Sequence, residues 1–530
     1  MRVVHISTYD IDGGAARAAF RLHESLLAAG QQSSMLVQVK HSGEDSVHQV
    51  PRTRSPEVIL GELVQKQYFD TNRTNISTTW FSLGWPGENV SAHPVVREAD
   101  IIHLHWVSGF VSPTSIKALQ SLGKPLVWSL HDQRAFTGGC HYSGGCRQFE
   151  NGCATCPQLA SDPCQVTAAN VADQSLLLRD SNITVVAPSQ WMADCARSSA
   201  VFGRSRIEIL PYGIDLQRFD AVPQRAARTD LVLPQNDFLL LFGVDNVREK
   251  RKGVRELFAM LESCGRDERF RNLPIQDRPG LLCFGEIDLP PNLPLPVRSF
   301  GRVRCDKVLS SLYAASDLFL LPSFEDNLPN TVLESMACGT PVGAFNAGGV
   351  PDLVLQGRTG FMAAAGDIDG LRRIVLESAY NLKALREMRP ACRQHIETHF
   401  SYTRQAGNFV SLYESLLACG KGLAQNGAPK GVGASSALHF ERNLGPVLKR
   451  LFDANPDLLG LSETLGVAKM RSTPRQRLTR QLRRILKRAV RDSWTYDRLR
   501  TAVTAAFATI QARPGAERLL ESLRRLFRPG

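Results

Sequence analysis

Short apolar runs alternate with helix-like segments along most of this chain. The runs are four or five residues long and end at turn-forming residues, which is typical of buried strands. Strands that are apolar throughout and separated by helices indicate parallel βαβ units. The predicted strands are Val3–Ser7, Ile101–His105, Leu126–Leu130, Thr184–Ala187, Ile207–Leu210, Phe238–Phe242, Gly280–Phe284, Asp317–Leu321 and Pro341–Ala344.

The strands fall into two series, which predicts an α/β protein with two doubly wound, Rossmann-like domains facing a cleft. The first series covers residues 1–205 and includes a Cys-rich insertion at 138–160, and the second covers residues 206–395. A helix at 396–418 comes next. The remaining chain divides into a linker rich in Gly, Ala, Ser and Lys at 419–437 and a mostly helical basic tail at 438–530.

Composition indicates a soluble enzyme. The 530 residues are 43% hydrophobic and 22% charged, which are ordinary values for a globular protein. No run of eighteen apolar residues occurs, so we expect no membrane-spanning helix. Met1–Ser7 lacks the features of a secretory signal, and we therefore expect a cytoplasmic protein whose twelve cysteines stay reduced or bind metal.

Positive charge is concentrated at one end of the chain. Residues 471–530 contain 16 Lys and Arg against 4 Asp and Glu, an excess of 12 that equals the net charge of the whole chain. The tail therefore carries all the excess, which points to an anionic surface that the tail alone contacts.

A loop and a helix start share the stretch Pro322–Pro341. Asn327 and Pro329 indicate the loop, and the apolar spacing after them indicates a helix that ends near Gly339. Asp326 then lies on the loop and Glu334 about one helical turn in. Helix-start amides attract phosphate and carboxylates accept hydrogen bonds from hydroxyls, which suits a sugar nucleotide. The alternative is an ordinary turn with two solvated acids.

This stretch closely resembles the acidic-pair signature of retaining GT-B glycosyltransferases. Over about residues 1–417 the chain is similar to family 4 glycosyltransferases, also called glycosyl transferases group 1, in the colanic-acid and exopolysaccharide branch. The other matching stretches are Ile11–Arg17, Leu130–Tyr142, Gly253 after Arg251–Lys252, Phe300–Val303 with Leu312–Asp317, and Gly348–Asp352.

The resemblance implies a donor site for a nucleoside diphosphate sugar in the second domain. Glu334 would hold the ribose, and Lys252 with backbone amides would hold the diphosphate, where a fixed cation stabilises the leaving group. The sugar would meet Asp326, with Asn327, Leu328 and Pro329 beside it and Glu325 as an adjacent alternative acid.

One position departs from the family pattern. Family members commonly carry an Arg about six residues before the Lys, and position 246 is Asn here. Arg248 or Arg251 can substitute, and the sequence does not decide between them. Cations and amides can neutralise a diphosphate without metal, and no Asp-x-Asp follows a strand, so we expect catalysis without a required cofactor.

The first domain would face the sugar and the acceptor. Gly13 and Gly14 precede a helix and let the backbone approach a ligand closely. His131 and Asp132 follow a predicted strand, at the sheet edge where α/β proteins bind ligands. We treat both as catalytic-site residues, together with Lys252 and Asp326, without assigning a general base. The alternative for His131 is a hydrogen bond to a backbone carbonyl.

Four cysteines form a C-x5-C-x6-C-x2-C array within the insertion. Cys140, Cys146, Cys153 and Cys156 are separated by turn formers and can close around a structural zinc ion. Reduced thiols, disulfides and an iron–sulfur cluster are the alternatives.

The basic tail carries apolar stripes among its arginines, for example Leu478, Leu482 and Ile485. A basic amphipathic helix can lie on an anionic membrane, here on the inner face of the cytoplasmic membrane. Packing on the body or binding a protein is the alternative. Nucleic acid is disfavoured, because no aromatic stacking series accompanies the charge.

With the resemblance, these features predict a hexosyltransferase that acts on a hydroxyl of a glycan acceptor, lipid-linked, in bacterial surface or exopolysaccharide biosynthesis. Retention of configuration is implied by the resemblance alone. Two alternatives remain: a GT-B nucleotide-sugar epimerase, and a non-catalytic glycan-binding or scaffold protein.

Overall fold

Two parallel β-sheets organise the chain, so the predicted class of two doubly wound, Rossmann-like domains is confirmed. The computed structural model describes residues 1–51, 62, 65, 66, 68–77, 79–178, 181–244, 249–274 and 278–424. The predicted tail, residues 438–530, lies outside the described residues, as does most of the predicted linker. Within the described ranges, no helix combines the length and apolarity that crossing a membrane requires.

The first sheet has seven strands in the order β3-β2-β1-β4-β5-β6-β7. Two of these strands were not predicted from the sequence, because β2 begins with the polar run Gln32–Ser34 and β3 is only three residues long. The bounds are β1 Arg2–Tyr9, β2 Gln32–Val39, β3 Val47–Gln49, β4 Ile101–Leu104, β5 Leu126–Ser129, β6 Ile183–Ala187 and β7 Arg206–Ile209.

The second sheet has six strands in the order β10-β9-β8-β11-β12-β13. The strand order reverses beside β1 in the first sheet and beside β8 in the second, and ligands bind at such switch points, outside the carboxyl ends of the strands. The bounds are β8 Leu239–Gly243, β9 Gly280–Phe284, β10 Val297–Ser299, β11 Leu318–Leu321, β12 Val342–Asn346 and β13 Gly360–Ala364.

Helices cover both faces of the sheets. Neighbouring residues of β1 show this, since Val4 belongs to one buried cluster and Val3 to another. The helices are α1 Gly14–Ala28, α2 Pro94–Glu98, α3 Pro113–Gln120, α4 Val166–Leu178, α5 Gln190–Ser198, α6 Gln224–Asp230, α7 Val254–Cys264, α8 Glu268–Asn272, α9 Asp306–Ala315, α10 Asn330–Ala337, α11 Ile368–Tyr380, α12 Leu382–Glu387, α13 Arg389–His399 and α14 Tyr402–Ala424.

The long helix α14 returns to the first sheet. Its apolar residues Phe409, Leu412 and Tyr413 share a buried cluster with Leu22 and Leu26 of α1. The Tyr413 hydroxyl also forms a 2.7 Å hydrogen bond with His103 Nδ1. The chain therefore closes the second domain onto the first.

A row of buried histidines lies in the first domain: His5, His23, His103, His105 and His131. Nδ1 of His5 is 2.9 Å from Nε2 of His105, whose Nδ1 is 3.0 Å from Nε2 of His131. Burial lowers the pKa of His23 and of His131 to about 4. Burial, with the charges of neighbouring imidazoles, lowers the pKa of the other three well below the ordinary value. The row is therefore neutral at neutral pH.

The second domain is fastened by one buried ion pair. Arg228 of α6 is fully buried and donates to Asp317 Oδ2 at 2.8 Å. Asp317 precedes β11 and also accepts from the Leu239 amide at the start of β8. The guanidinium further donates to the main-chain carbonyls of Ala315, Gln235 and Asp237. Two central strands are thus held at one point.

Acidification should destabilise the fold through the histidine row. The row's folded pKa values lie below the unfolded ones, so its contribution is intact above pH 6.5 and is lost as the pH falls toward about 4. His131 alone accounts for on the order of 3 kcal/mol. The check is the guanidinium unfolding midpoint across this range, with exposed His399→Asn as a control that keeps the wild-type slope. A wild-type unfolding midpoint that does not change with pH would show that the histidine row does not make this contribution.

Arg228→Leu should destabilise the second domain by about 1–3 kcal/mol, because Asp317 then stays buried with Arg386 as its remaining charge partner. Exposed Arg225, in the same helix, offers a matched control, and Arg225→Leu should change stability by less than about 0.5 kcal/mol. Amide hydrogen exchange in Leu239–Gly243 measures the effect locally. Equal exchange in both variants would show that the ion pair does not fasten β8 and β11.

Candidate active site

A cavity of about 460 Å³ lies between the carboxyl ends of the two sheets. This size falls within the range of sites for small molecules and cofactors. The predicted site residues Gly13, Gly14, His131, Asp132, Lys252, Asp326, Asn327, Leu328 and Pro329 all line it. Neither Glu325 nor Glu334 is among the lining residues. Arg248 lies outside the described residues.

The first wall is the start of α1. Gly13 has a φ of +87°, a left-handed conformation that favours glycine, and its neighbour Gly14 opens the helix. The first amides of α1 have no partner within the helix and carry the positive end of its dipole. The Gly14 carbonyl accepts from Asn330 Nδ2 at 3.0 Å, across the cleft. This wall can therefore bind an anion close to the second domain.

A lysine and a carboxylate form the opposite wall. Lys252 Nζ donates to Asp326 Oδ2 at 2.6 Å. Burial opposes ionisation of Asp326, but the charges of Lys252 and Arg251 outweigh it and lower the pKa of this carboxyl. The pair is therefore charged at neutral pH, and Lys252 presents a cation to the cavity.

Gly253 explains why this lysine follows a tight turn. The turn Lys250–Lys252 ends at Gly253, whose φ is +67°. A Cβ at this position would lie 1.9 Å from the Pro322 carbonyl oxygen. Only glycine lets the lysine turn approach the strand end that leads into the acidic loop.

Arg251 is a structural neighbour of the pair. Its guanidinium lies 3.8 Å from the ring centroid of Tyr142 and forms a 2.6 Å ion pair with Glu249. Its Nη1 also donates to the Glu325 carbonyl at 2.9 Å. Arg251 lines the cavity as well, but these contacts bury it, whereas Lys252 is more exposed and is the better placed of the two to meet a ligand.

Glu325 points away from the cavity into the Cys-rich insertion. It accepts from the Gly144 amide at 2.8 Å, the Gly145 amide at 3.4 Å and Ser143 Oγ at 3.3 Å. We call Ser143–Gly145 the clasp. Burial raises the pKa of Glu325, and the clasp amides oppose this effect. The alternative sugar-binding role for Glu325 is therefore disfavoured, because the loop aims it at another part of the protein.

Glu334 is buried behind the cavity. It accepts from Arg21 Nη2 at 2.6 Å and from the Tyr313 hydroxyl at 3.0 Å. Arg21 belongs to α1, so this ion pair crosses between the domains. In this conformation a ribose can reach Glu334 only if Arg21 moves. Sequence reasoning could not identify this partner, because Arg21 lies 313 residues away.

His131 lines the cavity with both ring nitrogens engaged. Its Nε2 bonds to His105, and its Nδ1 lies 2.8 Å from the Tyr212 hydroxyl. Both ring nitrogens therefore bond to side chains, and not to a backbone carbonyl as in the alternative for His131. A neutral imidazole fixed on both sides is suited to shaping the site rather than to taking up a proton.

The Asp132 carboxylate accepts hydrogen bonds from three donors of the protein itself. It accepts from His141 Nδ1 at 2.6 Å, Trp106 Nε1 at 2.7 Å and the Arg134 amide at 3.0 Å. Burial opposes its ionisation, but these donors outweigh burial and lower the pKa of Asp132. The carboxylate therefore orients His141 and Trp106, which both line the cavity.

Several lining residues were not predicted as site residues. Trp106 follows β4, just as His131 follows β5, so applying the strand-end rule to every strand would have found it. His141 adjoins Cys140, the first cysteine of the array, and no site pattern marks it. Tyr212 lies after β7, within the second predicted series, where no pattern marks it either.

Two glycines hold the acidic loop in place. A Cβ on Gly348 would lie 1.9 Å from the Asp326 carbonyl oxygen, and one on Gly349 would lie 1.8 Å from that of Asn327. The Gly349 amide donates to the Asp326 carbonyl at 2.9 Å. The Gly348–Gly349 pair thus acts through backbone contact with the loop.

Metal-ligand geometry occurs at one place among the described residues. His5, His103 and His105 have ligand atoms within 4.8 Å of one another, but hydrogen bonds already join them to neighbouring side chains. The four cysteines of the array are free thiols and do not form such a compact group.

In sequence the chain is similar to known glycosyl transferases. The family model described as Glycosyl transferases group 1 matches residues 282–379, which include α10 and the acidic loop. The protein WcaC of Escherichia coli strain K12, described as a colanic acid biosynthesis glycosyl transferase, is 26% identical over 367 residues. This alignment covers 64% of this chain and 82% of WcaC.

Solved structures share the fold. Sucrose-phosphate synthase from Thermosynechococcus elongatus superimposes with a TM-score of 0.53 at 18% identity, covering 79% of this chain and all of that one. HepE from Anabaena, solved in complex with UDP, gives 0.52 at 16% identity, covering 78% of this chain and 100% of that one. The chain therefore has the GT-B fold, and in sequence it is similar to glycosyl transferases group 1.

Proposed function

We propose that the chain transfers a hexose-type residue from a nucleoside diphosphate sugar to a hydroxyl of a lipid-linked glycan acceptor, in bacterial surface or exopolysaccharide biosynthesis. The observation that carries the proposal is the meeting of the charged Lys252–Asp326 pair and the Gly13–Gly14 helix start across one cavity. One wall offers a cation and the other offers free amides, which together match a diphosphate between them.

The donor diphosphate lies between Lys252 and the first amides of α1. As the bond from the sugar C1 to the phosphate oxygen breaks, negative charge develops on that oxygen. The fixed ammonium and the helix dipole stabilise this charge without reorganising, which lowers the barrier. The new bond from C1 to the acceptor oxygen forms on the same face, and the acceptor proton passes to the leaving phosphate.

The sugar lies beside Asp326, whose second oxygen can accept from a sugar hydroxyl. The acceptor approaches from the first domain, past His131 and Asp132. The neutral, doubly bonded His131 limits the space there, and the Asp132 carboxylate holds Trp106 and His141 as an aromatic wall. Aromatic faces pack well against the apolar faces of sugar rings, so this wall suits a glycan.

The relatives suggest which substrates to test. WcaC is described as a colanic acid enzyme, and a HepE structure contains UDP-glucose. A UDP-hexose is therefore the first donor to try. A basic tail at the inner face of the cytoplasmic membrane would bring the enzyme to a lipid-linked acceptor, although residues 438–530 lie outside the described structure.

The direct test incubates purified protein with UDP-, GDP- and ADP-sugars, with and without bacterial lipid extract, and with chelator present. We expect release of one nucleoside diphosphate that depends on the extract. Free epimerised sugar nucleotide without an acceptor would identify an epimerase instead. Donor binding without release, with the extract present, would favour a glycan-binding protein.

Lys252→Ala should lower kcat/KM by about 10²–10³-fold, the usual cost of removing one preorganised stabilising group from a developing oxyanion. Exposed Lys250 lies on the same turn and is a matched control, so Lys250→Ala should stay within about twofold of the wild type. Steady-state kinetics with a fixed acceptor measures both variants. Equal losses of kcat/KM in the two variants would mean that positive charge anywhere on the turn supports catalysis, and not Lys252 in particular.

Glu334→Ala should reduce discrimination between a donor and its 2′-deoxyribose analogue. If Glu334 accepts from ribose hydroxyls, the wild type should favour the ribose donor by about tenfold or more, and the variant should treat the two alike. Competition kinetics with both donors measures the ratio. A ratio that survives in a folded Glu334→Ala protein would assign Glu334 only to the interdomain ion pair with Arg21.

A further inference from the structure

The cysteine array occupies the turn-rich insertion between β5 and α4. Cys140, Cys146, Cys153 and Cys156 all line one small cavity, with Phe149 beside them. Cys140 and Cys153 are buried, and the other two are partly exposed. Four thiols from a stretch of 17 residues therefore line one cavity, although nothing in the proposed glycosyl transfer uses them.

Backbone amides are aimed at three of these sulfurs. The Gln148 amide donates to Cys146 Sγ at 3.4 Å, two residues along the chain. The Gln158 amide donates to Cys156 Sγ with the same spacing, and the Gly138 amide donates to Cys153 Sγ. Amide donors favour a negatively charged sulfur over a neutral thiol, because hydrogen bonds to an ionised acceptor are stronger. Burial raises the pKa of Cys153 to about 12 and of Cys156 to about 11, and these amides oppose that effect without outweighing it.

Four cysteine sulfurs that line one cavity form a ligand set for a metal ion. Sulfur ligands in a set of four select zinc or an iron–sulfur cluster, and a small cavity suits a single ion. Around zinc the sulfurs would lie about 4 Å apart. Among the described residues the array is more open than this, since no such group of sulfurs falls within 4.8 Å. Left-handed backbone at Gly144, Gly145 and Gly152 provides the tight turns that such a site needs.

The same insertion reaches across the cleft. The clasp holds the Glu325 carboxylate, and Tyr142 supports the Arg251 guanidinium at 3.8 Å. Both contacts lie between Cys140 and Cys146 in sequence, so whatever fixes these two cysteines also fixes the clasp. Glu325 adjoins Asp326, which faces the cavity.

We propose that Cys140, Cys146, Cys153 and Cys156 bind one zinc ion, and that this ion holds the clasp against Glu325. The ion has a structural role and takes no part in glycosyl transfer. The significance of the clasp for the donor loop rests on the proposed function, whereas the metal site itself does not.

The first test is the metal content of the full-length protein, purified under reducing conditions and measured by mass spectrometry of the elements. We expect about one zinc per chain. Cys153→Ser with Cys156→Ser should lose it, and Cys305→Ser, at an exposed thiol outside the array, should retain it. Wild-type protein without zinc, even after loading with zinc chloride, would overturn the proposal, as would iron with sulfide.

The histidine row provides a second control, because His5, His103 and His105 also lie close together. Zinc that persists in the variant with Cys153→Ser and Cys156→Ser would be bound by the histidine row or by another site. That result would overturn the assignment of zinc to the array. Cobalt loaded in place of zinc should show the strong sulfur-to-metal absorption of a tetrahedral thiolate site. Absorption lacking this band would likewise contradict ligation by the array.

The clasp is tested by amide hydrogen exchange at Gly144 and Gly145. Both amides should be protected in the zinc-loaded protein and exchange at least about tenfold faster after zinc is removed. Glu325→Gln should speed their exchange while leaving zinc bound. Unchanged exchange after zinc removal would refute the link to the clasp. A zinc-loaded protein that fails to transfer from every donor would refute the proposed function and leave the metal site standing.

Discussion

The amide side chain of Asn327 joins the two domains at the floor of the cleft. Its Nδ2 donates to the Leu130 carbonyl at 2.8 Å, and its Oδ1 accepts from Ser189 Oγ at 2.9 Å. Leu130 directly precedes His131, and Ser189 caps α5. One residue of the acidic loop therefore fixes the distance between the donor wall and the acceptor wall, and the site geometry depends on this contact.

The acidic loop can fix this distance because two glycines hold its backbone in place. Gly348 and Gly349 allow main-chain contact with Asp326 and Asn327 that any side chain would prevent. Gly253 does the same for the lysine turn, against Pro322. The glycines thus act as spacers that bring a cation, a carboxylate and an amide to one cavity, while the charged side chains do the chemistry.

The fold was predictable because short apolar runs, regularly separated by helix-like segments, leave few alternatives to parallel βαβ units. The strand-end rule placed His131 at the cleft, and the family resemblance placed Lys252 there from the opposite domain. The sequence could not reveal which of the adjacent acids Glu325 and Asp326 faces the ligand, since a small rotation of the loop exchanges them. Nor could it pair Arg21 with Glu334, because that contact depends on how the two domains meet.

The histidine row has a consequence for the surface of the cavity. Hydrogen bonds join His5, His105, His131 and Tyr212 in a chain. A neutral imidazole has one N–H, so all donors in this chain must point the same way, either from His5 toward Tyr212 or from Tyr212 toward His5. In one direction Tyr212 accepts from His131 and turns its own hydrogen toward the cavity; in the other it donates inward and offers only lone pairs. The polarity of the Tyr212 hydroxyl, which a bound sugar would meet, is therefore set three rings away at His5, deep inside the protein.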